Sequence, residues 1–565
     1  MTEITAILPS YEEVVSHFDW ETVIAHFDWP VNEKFNFAHE ICDRWTKDPV
    51  KAEQVALYYE TKDGTRGSYT YRQLRDLSNR FANVLAGLGV KPGDRVGGLL
   101  PKIPAIFPTI LGIWKLGAIY VPLFTAFAAP AVAYRLRQGE VSVVVTDEAN
   151  LAKIHQGQQG EEGLPLLKQV LVAATEESKT FERGEINFWA AVQAASPDFQ
   201  VAETTLDDVL VCQYTSGSTG QPKGAMQANR FVPGILLYVR YAMDIRDDDV
   251  FWGPADPGWA YGLLICLAGP LMVGNAALLI EAPFTPELCW QVIERYGVTN
   301  LTSAPTAYRA LAAAGAELAR RYNVKLRVAS SAGEPLNPEV IEWFRRELGV
   351  SICDCYGQTE LGMMVCNYNA LHHPIKPGSM GRPMPGLEVC LVDGAGQEVP
   401  PNTVGQIATR KGSYGYGFKG YWKEPEKTAA LYTGEWYLSG DLARRDEEGY
   451  YWFEGRSDDL INSSGHRIGP FEIESALLEY PAVAEAAVIS VPDAARGEAI
   501  KAYVILKAGK QGSSELVEEL QQVVRERVGK HAFPRAVEFV TTLPKTESGK
   551  IQRYVLRAQH MQLQK

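Results

Sequence analysis

The chain has 565 residues, a formal net charge of −13 and a sequence pI near 5.4. This length exceeds what one hydrophobic core usually supports, so we expect two or more domains. Hydrophobic residues make up 46% and charged residues 22%, which is typical of a globular protein and excludes a wholly disordered or fibrous chain. The negative net charge also argues against broad binding of nucleic acid or anionic membranes, because such binding requires basic surfaces.

Neither the cysteines nor the one long apolar stretch indicates a zinc protein or a membrane protein. The eight cysteines are scattered, and only Cys353 and Cys355 lie close together, so we expect free buried thiols in a reducing cytoplasm instead of a zinc site. Residues 262–280 are free of charge and long enough to suggest a membrane span. Gly269-Pro270 and Gly274-Asn275 favour turns between a short helix and a buried strand instead. The first 15 residues lack a basic region followed by an apolar core, so we expect no signal peptide.

Helical and strand patterns alternate along the first two thirds of the chain. Leu74, Leu77 and Phe81 recur at helical spacing within residues 70–89, and an apolar strand follows at 94–100. The same alternation returns at residues 110–147 and 289–305. Strands that alternate with helices predict parallel sheets covered by helices. In such folds, ligands bind at the carboxyl ends of the strands.

The pattern changes near residue 380. Residues 381–411 alternate apolar and turn residues without a helical period, which predicts a small antiparallel or barrel-like unit. The last hundred residues combine strand patterns with an amphipathic helix that carries Leu516, Leu520, Val524 and Val528. We therefore predict an α/β fold with a large N-terminal domain, 1–457, and a smaller α+β C-terminal domain, 458–565.

A glycine-rich segment, YTSGSTGQPKG at residues 214–224, follows a predicted strand at 207–214. Its glycines permit positive φ and close backbone approach, and successive backbone N–H groups in such a loop bind anions. Lys223 adds a positive charge, so we expect a phosphate chain as the ligand. The segment is not a Walker A loop, because Gly224 stands where that motif needs Ser or Thr. Taken alone, it is also compatible with a solvated loop that has no function.

The segment resembles the phosphate loop of the adenylate-forming superfamily, which includes acyl-CoA synthetases, luciferases and the adenylation domains of peptide synthetases. Four further motifs of that superfamily follow in order and extend the resemblance over nearly the whole chain. They are SSAGEPLNPE at 330–339, DCYGQTELG at 354–362, the stretch 437–474 with GRSDD and SSGHRIG, and LPKTESGKIQR at 543–553. Five motifs in register identify the chain as a member.

The resemblance implies a two-step reaction that uses ATP, Mg²⁺ and coenzyme A. A carboxylate attacks the α-phosphate of ATP, and a thiol then takes the acyl group from the adenylate. The implied catalytic residues are Lys550 and Thr359 at the α-phosphate, Glu360 as the magnesium ligand, and Arg467 in the thioester-forming state. The implied ATP-binding residues are Thr215, Ser216, Gly217, Ser218, Thr219, Gly220, Lys223, Gly333, Glu334, Pro335, Asp354, Cys355, Tyr356, Gln358, Thr359, Asp441, Phe453 and Arg456.

The resemblance also implies that the C-terminal domain rotates between the two steps. Asp458 matches the hinge of the superfamily. Ser464, Gly465 and His466 would face the CoA tunnel, and Arg525, Lys530 and Arg535 are candidate contacts for the CoA nucleotide. The Gly-His-Arg-Ile sequence is similar to acetyl- and medium-chain acyl-CoA synthetases, which favours free CoA as the acceptor.

The acid-binding pocket departs from that of acetyl-CoA synthetases, which carry Trp-Trp-Gln-Thr-Glu at positions 356–360. Gly357 replaces the second tryptophan and so opens the pocket floor, whereas Tyr261 refills part of that space. Trp259, Ala260 and Ala332 match further pocket positions. Because each buried methylene adds about 0.8 kcal/mol, we expect a short- to medium-chain acid of roughly four to eight carbons. Benzoate stays open as an alternative.

Three alternatives stand beside a short- to medium-chain acyl-CoA synthetase. The first is an acetyl-, propionyl- or benzoyl-type CoA ligase, and the second is an enzyme that loads a carrier protein. The third is a binding protein that keeps the fold without catalysis. Lys550, Glu360 and Asp441 argue against the third, because loss of catalysis normally lets such residues change. No charged residue is evident at the pocket positions to pair with an amino acid's ammonium group, which speaks against a peptide-synthetase role.

Overall fold

The computed structural model describes residues 9–215, 221–412, 414–457, 459, 461–463, 466–493, 497–529, 532–545 and 551–563. Its strands, in chain order, are β1 Val55–Glu60, β2 Arg66–Thr70, β3 Arg95–Leu99, β4 Ile119–Pro122, β5 Val143–Asp147, β6 Gln169–Ala173, β7 Ile186–Asn187, β8 Val209–Thr215, β9 Lys223–Ala228, β10 Phe251–Trp252, β11 Ala277–Ile280, β12 Asn300–Ser303, β13 Val328–Ala332, β14 Ile352–Gln358, β15 Gly362–Cys366, β16 Arg382–Pro383, β17 Val389–Val392, β18 Val404–Arg410, β19 Phe418–Tyr421, β20 Tyr432–Thr433, β21 Trp436–Arg445, β22 Tyr451–Arg456, β23 Ile461–Ser463, β24 His466–Ile468, β25 Val483–Asp493, β26 Gly497–Leu506 and β27 Ala536–Phe539.

The α-helices are α1 Tyr11–Ser16, α2 Trp20–Ile24, α3 Phe37–Ile41, α4 Pro49–Ala52, α5 Tyr71–Gly87, α6 Ile106–Lys115, α7 Ala129–Gln138, α8 Glu148–Gln159, α9 Phe188–Ala194, α10 Val232–Leu237, α11 Ala268–Met272, α12 Pro286–Tyr296, α13 Pro305–Ala314, α14 Ala316–Ala319, α15 Pro338–Leu348, α16 Pro425–Ala429, α17 Pro470–Leu478, α18 Ser514–Arg527 and α19 Arg553–Leu563. Short 3₁₀ turns lie at Asp43–Lys47 and Asn229–Phe231, and π-helical turns at Tyr238–Ala242 and Tyr261–Leu267.

Two large sheets organise the N-terminal part of the chain. One has the order β19-β9-β8-β4-β3-β5-β6-β7, and the other has the order β10-β12-β13-β14-β15-β16. Pairing is parallel from β8 through β7 in the first sheet and from β10 through β14 in the second. This confirms the prediction of parallel sheets covered by helices, and it directs the carboxyl ends of β12, β13 and β14 to one edge.

The predicted helix at residues 70–89 is α5. It begins at a capping box in which Thr70 and Gln73 bond each other's backbone N–H groups. Leu74, Phe81 and Leu85 of its apolar face are buried. They join a core cluster that also covers one face of the first large sheet.

Residues 262–280 form no long apolar helix. The π-helical turn Tyr261–Leu267 leads into α11, and β11 pairs in parallel with β1 in a three-stranded sheet with β2. This confirms the prediction of a short helix followed by a buried strand. Within the described part of the chain, no helix is long and apolar enough to cross a membrane.

The last third of the chain contains a small antiparallel unit and a separate C-terminal domain. Strands β17, β18, β21 and β20, with β22 beside β21, form the antiparallel sheet that the pattern after residue 380 predicted. The C-terminal domain is built on β24-β23-β26-β25, with β27 beside β26, and α17 and α18 pack on it. Leu516, Leu520 and Val524 of α18 are buried, as their spacing predicted. Asp458, the predicted boundary, lies outside the described residues.

Candidate active site

A cavity of about 1030 Å³ lies where the strand ends of the two large sheets meet. Thr215 ends β8, Ala332 ends β13 and Gln358 ends β14, and all three line the cavity. A second cavity of about 340 Å³ adjoins it and extends towards the C-terminal domain. Gly333, Glu334, Gly357 and Arg456 line both cavities, so they form the seam between the two.

The described members of the predicted ATP set all line one cavity or the other. Those in the larger cavity are Thr215, Lys223, Gly333, Glu334, Gln358, Thr359 and Arg456. Those in the smaller cavity are Gly333, Glu334, Pro335, Asp354, Cys355, Tyr356, Asp441, Phe453 and Arg456. Ser216, Gly217, Ser218, Thr219 and Gly220 lie outside the described residues.

One end of the larger cavity combines a cation and a carboxylate around a tyrosine. Thr215 and Lys223 are cross-strand partners in β8 and β9, on either side of the predicted phosphate loop. Lys223 Nζ lies 4.9 Å from the ring centroid of Tyr421. The Tyr421 hydroxyl donates a hydrogen bond of 2.7 Å to Glu360 Oε1. A lysine and a carboxylate that both contact one tyrosine suit a ligand that carries phosphate charge together with a divalent cation.

Glu360 fits a magnesium site that the ligand completes. Mg²⁺ is usually bound in such sites by one or two carboxylates together with substrate phosphates and water. Among the described residues no cluster of three or more His, Cys, Asp or Glu side chains is placed to hold a metal by itself. The Glu360 carboxylate is of the chemical type that binds Mg²⁺ together with nucleotide phosphates and water.

Asp441 is a buried carboxylate on the side of the smaller cavity. Its Oδ2 accepts hydrogen bonds from the Tyr356 hydroxyl at 2.7 Å and from Gln358 Nε2 at 2.5 Å. Arg456, its cross-strand partner in β22, brings Nη1 to 3.8 Å from Oδ1. The carboxylate is thus held in place by β14 and β22, and its charge suits pairing with hydroxyl donors of a sugar.

The predicted ATP-binding residues Gly333 and Glu334 lie where the two cavities adjoin. Gly333 adopts φ +101°, a conformation that residues with side chains rarely take, directly after β13. Glu334 accepts hydrogen bonds from Thr306 Oγ1 at 2.9 Å and from Arg309 Nη2 at 2.7 Å, so these two residues hold its carboxylate. Neither Thr306 nor Arg309 lies in a recognisable motif, and sequence reasoning missed both.

Asp354 and Cys355, on adjacent positions of β14, are both buried. Burial raises the pKa of Asp354 from 3.8 to about 8, despite hydrogen bonds that favour the carboxylate. One of its oxygens, Oδ1, has no hydrogen-bond partner among the described residues. The Cys355 thiol lies 3.7 Å from the carbonyl oxygens of both Cys353 and Asn367. All eight cysteines are buried and free, as predicted.

The predicted acid-binding residues gather at the apolar end of the larger cavity. Trp259, Ala260, Tyr261, Ala332 and Gly357 all line it. The Tyr261 hydroxyl lies 2.9 Å from the Tyr238 hydroxyl and 2.6 Å from Thr302 Oγ1, which fixes the ring across the cavity. Sequence reasoning missed further apolar lining residues, namely Phe231, Ile235, Ile265 and Met363.

Gly357 has a structural reason to be glycine besides the size of the pocket. A register shift in the β14–β15 hairpin lies between Tyr356 and Gly357. A Cβ at position 357 would lie 2.2 Å from the carbonyl oxygen of Gly362. The hairpin as folded therefore excludes a side chain at this position, whichever acid is bound.

The C-terminal domain contributes to the smaller cavity through Glu474, Lys545, Ile551 and Arg553. Lys550, Ser464 and Gly465 lie outside the described residues, between or beside described neighbours. His466 and Arg467 belong to β24, which pairs with β23. Arg525 lines neither cavity; its guanidinium lies 3.9 Å from the ring centroid of Phe533.

Comparison with known proteins matches this architecture to a family. The model of the family described as AMP-binding enzyme matches residues 45–422, and the model of the AMP-binding enzyme C-terminal domain matches residues 472–550. The chain belongs to this family. It is thereby a member of the adenylate-forming acyl-CoA synthetase superfamily and an ATP-dependent, AMP-forming CoA ligase.

Several relatives of this AMP-binding enzyme cover nearly its whole length. It is 42% identical to acetyl-coenzyme A synthetase of Bacillus subtilis, over 98% of this chain and 96% of the relative. It is 36% identical to the mitochondrial acyl-coenzyme A synthetase ACSM4 of Homo sapiens, over 94% and 91%. The crystal structure of Brucella canis acyl-CoA synthetase matches with 44% identity and a TM-score of 0.78, over 99% of this chain and 100% of that one. An anthranilate CoA ligase in complex with anthranoyl-AMP matches with 30% identity and a TM-score of 0.83, over 94% and 98%.

Proposed function

We propose that the protein joins a short- to medium-chain carboxylic acid to coenzyme A, through an acyl-adenylate. A carboxylate oxygen attacks the α-phosphorus of ATP, and the bond to the β-phosphate oxygen breaks to release pyrophosphate. The CoA sulfur then attacks the acyl carbon, the carbon–oxygen bond to phosphate breaks and AMP leaves, while the thiol proton passes to solvent. The observation that supports this most directly is a single cavity with a phosphate-type end at Lys223 and Glu360 and an apolar end at Tyr261 and Gly357.

The nucleotide would lie across the seam between the two cavities. We assign the triphosphate to the loop from Thr215 to Lys223, the α-phosphate to Thr359, and the ribose hydroxyls to Asp441. The adenine would lie against the segment Gly333–Pro335 and Asp354. A bound magnesium ion would neutralise the charge of the triphosphate, with Glu360 as its protein ligand.

Two positively charged residues of the C-terminal domain would act in different steps. Lys550 would contact the α-phosphate and the attacking carboxylate, where negative charges must approach each other. Arg467 would approach the phosphate during thioester formation, when the strand β24 and the adjoining residues Ser464 and Gly465 face the thiol. A rotation of domain 458–565 against domain 1–457, about Asp458, would move Lys550 out of the active site and bring Arg467 into it.

The size of the apolar end supports an acid larger than acetate. Beyond Gly357 the cavity continues to three apolar residues. Phe231 lies in the 3₁₀ turn before α10, Ile235 lies in α10 and Met363 lies in β15. Each methylene that this surface buries would add about 0.8 kcal/mol to binding.

The eight buried free thiols suit a reducing compartment, and we propose the cytoplasm.

A second candidate substrate is an aromatic acid. Trp259 packs on Phe124 with a centroid distance of 5.4 Å and borders the same cavity as the Tyr261 ring. Such surfaces also suit a planar ring. One relative of known structure is an anthranilate CoA ligase and another is a benzoate CoA ligase.

The test is the release of AMP with magnesium and ATP across acids from acetate to decanoate, plus benzoate. Each acid is run with and without free CoA. We expect CoA-dependent turnover with a maximum at intermediate chain length. A maximum at acetate or at benzoate would contradict the proposed acid class and keep the reaction. Pyrophosphate exchange without turnover on free CoA would contradict CoA as the acceptor and point to a carrier protein.

A further inference from the structure

Two ion pairs of the C-terminal domain flank residues 546–550, the segment that contains Lys550. Before the segment, Lys545 Nζ donates a hydrogen bond of 2.8 Å to Glu485 Oε1 of β25. After it, Arg553 Nη2 donates to both carboxylate oxygens of Glu474, at 2.8 and 2.7 Å. The four side chains line the smaller cavity, which also contains Asp354 and Asp441.

The main chain closes the same segment at its base. Lys545 and Ile551 form an isolated antiparallel bridge. The N–H of Gln552 donates a hydrogen bond of 2.8 Å to the carbonyl oxygen of Pro544. The two ends are therefore held together, and the ion pairs fix where this base lies on the domain.

Arg553 and Arg557 are one turn apart on α19, so they face the same side of the helix. Arg553 Nη1 lies 3.6 Å from Asp459 Oδ2, and Arg557 Nη2 donates to Asp459 Oδ1 at 2.9 Å. Asp459 directly follows position 458. The same helix face thus contacts Glu474 on α17 and the first residue after the proposed hinge.

The Arg553–Glu474 ion pair contributes more to fixing the orientation of its two side chains than to the stability of the fold. Glu474 is only 5% exposed, and its Oε1 also accepts the N–H of Val488 at 2.8 Å. Burying such a pair costs nearly as much in desolvation as the charges recover, so its net contribution to stability is small. A bidentate contact between a guanidinium and a carboxylate does fix the orientation of both groups.

We propose that Arg553 and Glu474 are positioning residues for Lys550. They set the base of its segment against β25 and α17, so that the lysine reaches the α-phosphate in the adenylation step. This inference rests on the proposed function, in which Lys550 acts during adenylation. It predicts that loss of the pair impairs the first step much more than the second.

The test compares Arg553→Gln, Glu474→Gln and the double variant with the wild type in the two half-reactions. Adenylation is measured by acid-dependent exchange of pyrophosphate into ATP, and thioester formation by the reaction of supplied acyl-adenylate with CoA. For each variant we expect kcat of exchange to fall about 10- to 100-fold, because small displacements of a catalytic group are costly. The KM for ATP and the thioester rate should stay within about threefold of the wild type. The double variant should lose no more than either single one, because the two side chains act as a unit.

Two controls separate positioning from folding. Arg527→Gln breaks the Arg527–Glu479 ion pair of 2.6 Å in the same domain, whose two residues line neither cavity, and should leave both half-reactions unchanged. Arg553→Lys keeps the charge without the planar fork, and should recover part of the exchange rate. Melting temperatures of all variants report folding.

The outcomes distinguish this inference from the function on which it rests. Equal losses in both half-reactions, or undiminished exchange in Arg553→Gln and Glu474→Gln, would refute the positioning role while wild-type activity stands. A wild-type protein that exchanges pyrophosphate with none of the acids would refute the proposed function itself.

Discussion

Tyr261 offers the most direct test of what sets the length of the acid. Its hydroxyl is held between Tyr238 and Thr302, so the ring cannot turn out of the cavity without losing two partly buried hydrogen bonds. In Tyr261→Leu the outer half of the ring is removed, while an apolar side chain still covers the inner wall. The freed space faces the same cavity end as Phe231 and Met363.

The expected size of the effect follows from methylene burial. If the space left by the ring accepts two further methylenes, the transition state for the longer acid gains about 1.6 kcal/mol, or roughly 15-fold in relative kcat/KM. The assay measures kcat/KM for acids from butanoate to decanoate by AMP release, in the wild type and in Tyr261→Leu. We expect the preferred length to rise by about two carbons as a result.

Tyr261→Phe is the matched control, because it removes only the hydroxyl. It should lower the free energy of unfolding by about 1–3 kcal/mol, since the Tyr238 hydroxyl loses its partner at this site. Its preferred chain length should match that of the wild type. If Tyr261→Leu kept the wild-type preference while remaining folded, the ring would not limit the pocket, and the assignment of this cavity end to the acid would be wrong.

Three further predictions concern the nucleotide side. Lys550→Ala should abolish acid-dependent pyrophosphate exchange and leave thioester formation from supplied acyl-adenylate largely intact; equal loss of both would contradict its assignment to the first step. Asp441→Asn should raise the KM for ATP about 10- to 100-fold in steady-state assays with the KM for the acid unchanged, because a charged acceptor for the ribose becomes neutral. Stability should fall as pH rises from the ordinary pKa of Asp354, 3.8, to its folded value of about 8, because the unfolded chain releases this proton first. Melting temperatures of wild type and Asp354→Asn between pH 5 and 8 should converge at the acidic end and diverge at the basic end; parallel curves would show that Asp354 does not cause the slope.

Sequence reasoning found the site residues that directly follow strands. Thr215 ends β8, and its loop could be predicted because a glycine-rich segment follows a strand at the edge where ligands bind. Gly333 and Thr359, which directly follow β13 and β14, were predicted from the resemblance of their motifs to the superfamily. The alternation of helices and strands, the small antiparallel unit and the amphipathic helix α18 were likewise visible as local periodicities.

The residues that it missed reach the site from distant segments. Tyr421, which donates to Glu360, and Phe231, which lines the apolar end, have the residue types of ordinary core positions. Arg553 and Glu474 are 79 positions apart, and no local period links them. Only the packing of the sheets brings such residues together, so their contacts could not be inferred from spacing.

The seam between the two cavities restricts where substrate preference can change. Ala332 and Gly333 are consecutive residues, as are Gly357 and Gln358, and each pair joins the acid end to the nucleotide end within one Cα–Cα step of 3.8 Å. Larger side chains on this wall would disturb the nucleotide and, at position 357, the β14–β15 hairpin. Among the described residues, the Tyr261 hydroxyl contacts Tyr238 and Thr302, neither of which belongs to the predicted ATP set. Changes in acid preference at constant affinity for ATP should therefore arise at Tyr261.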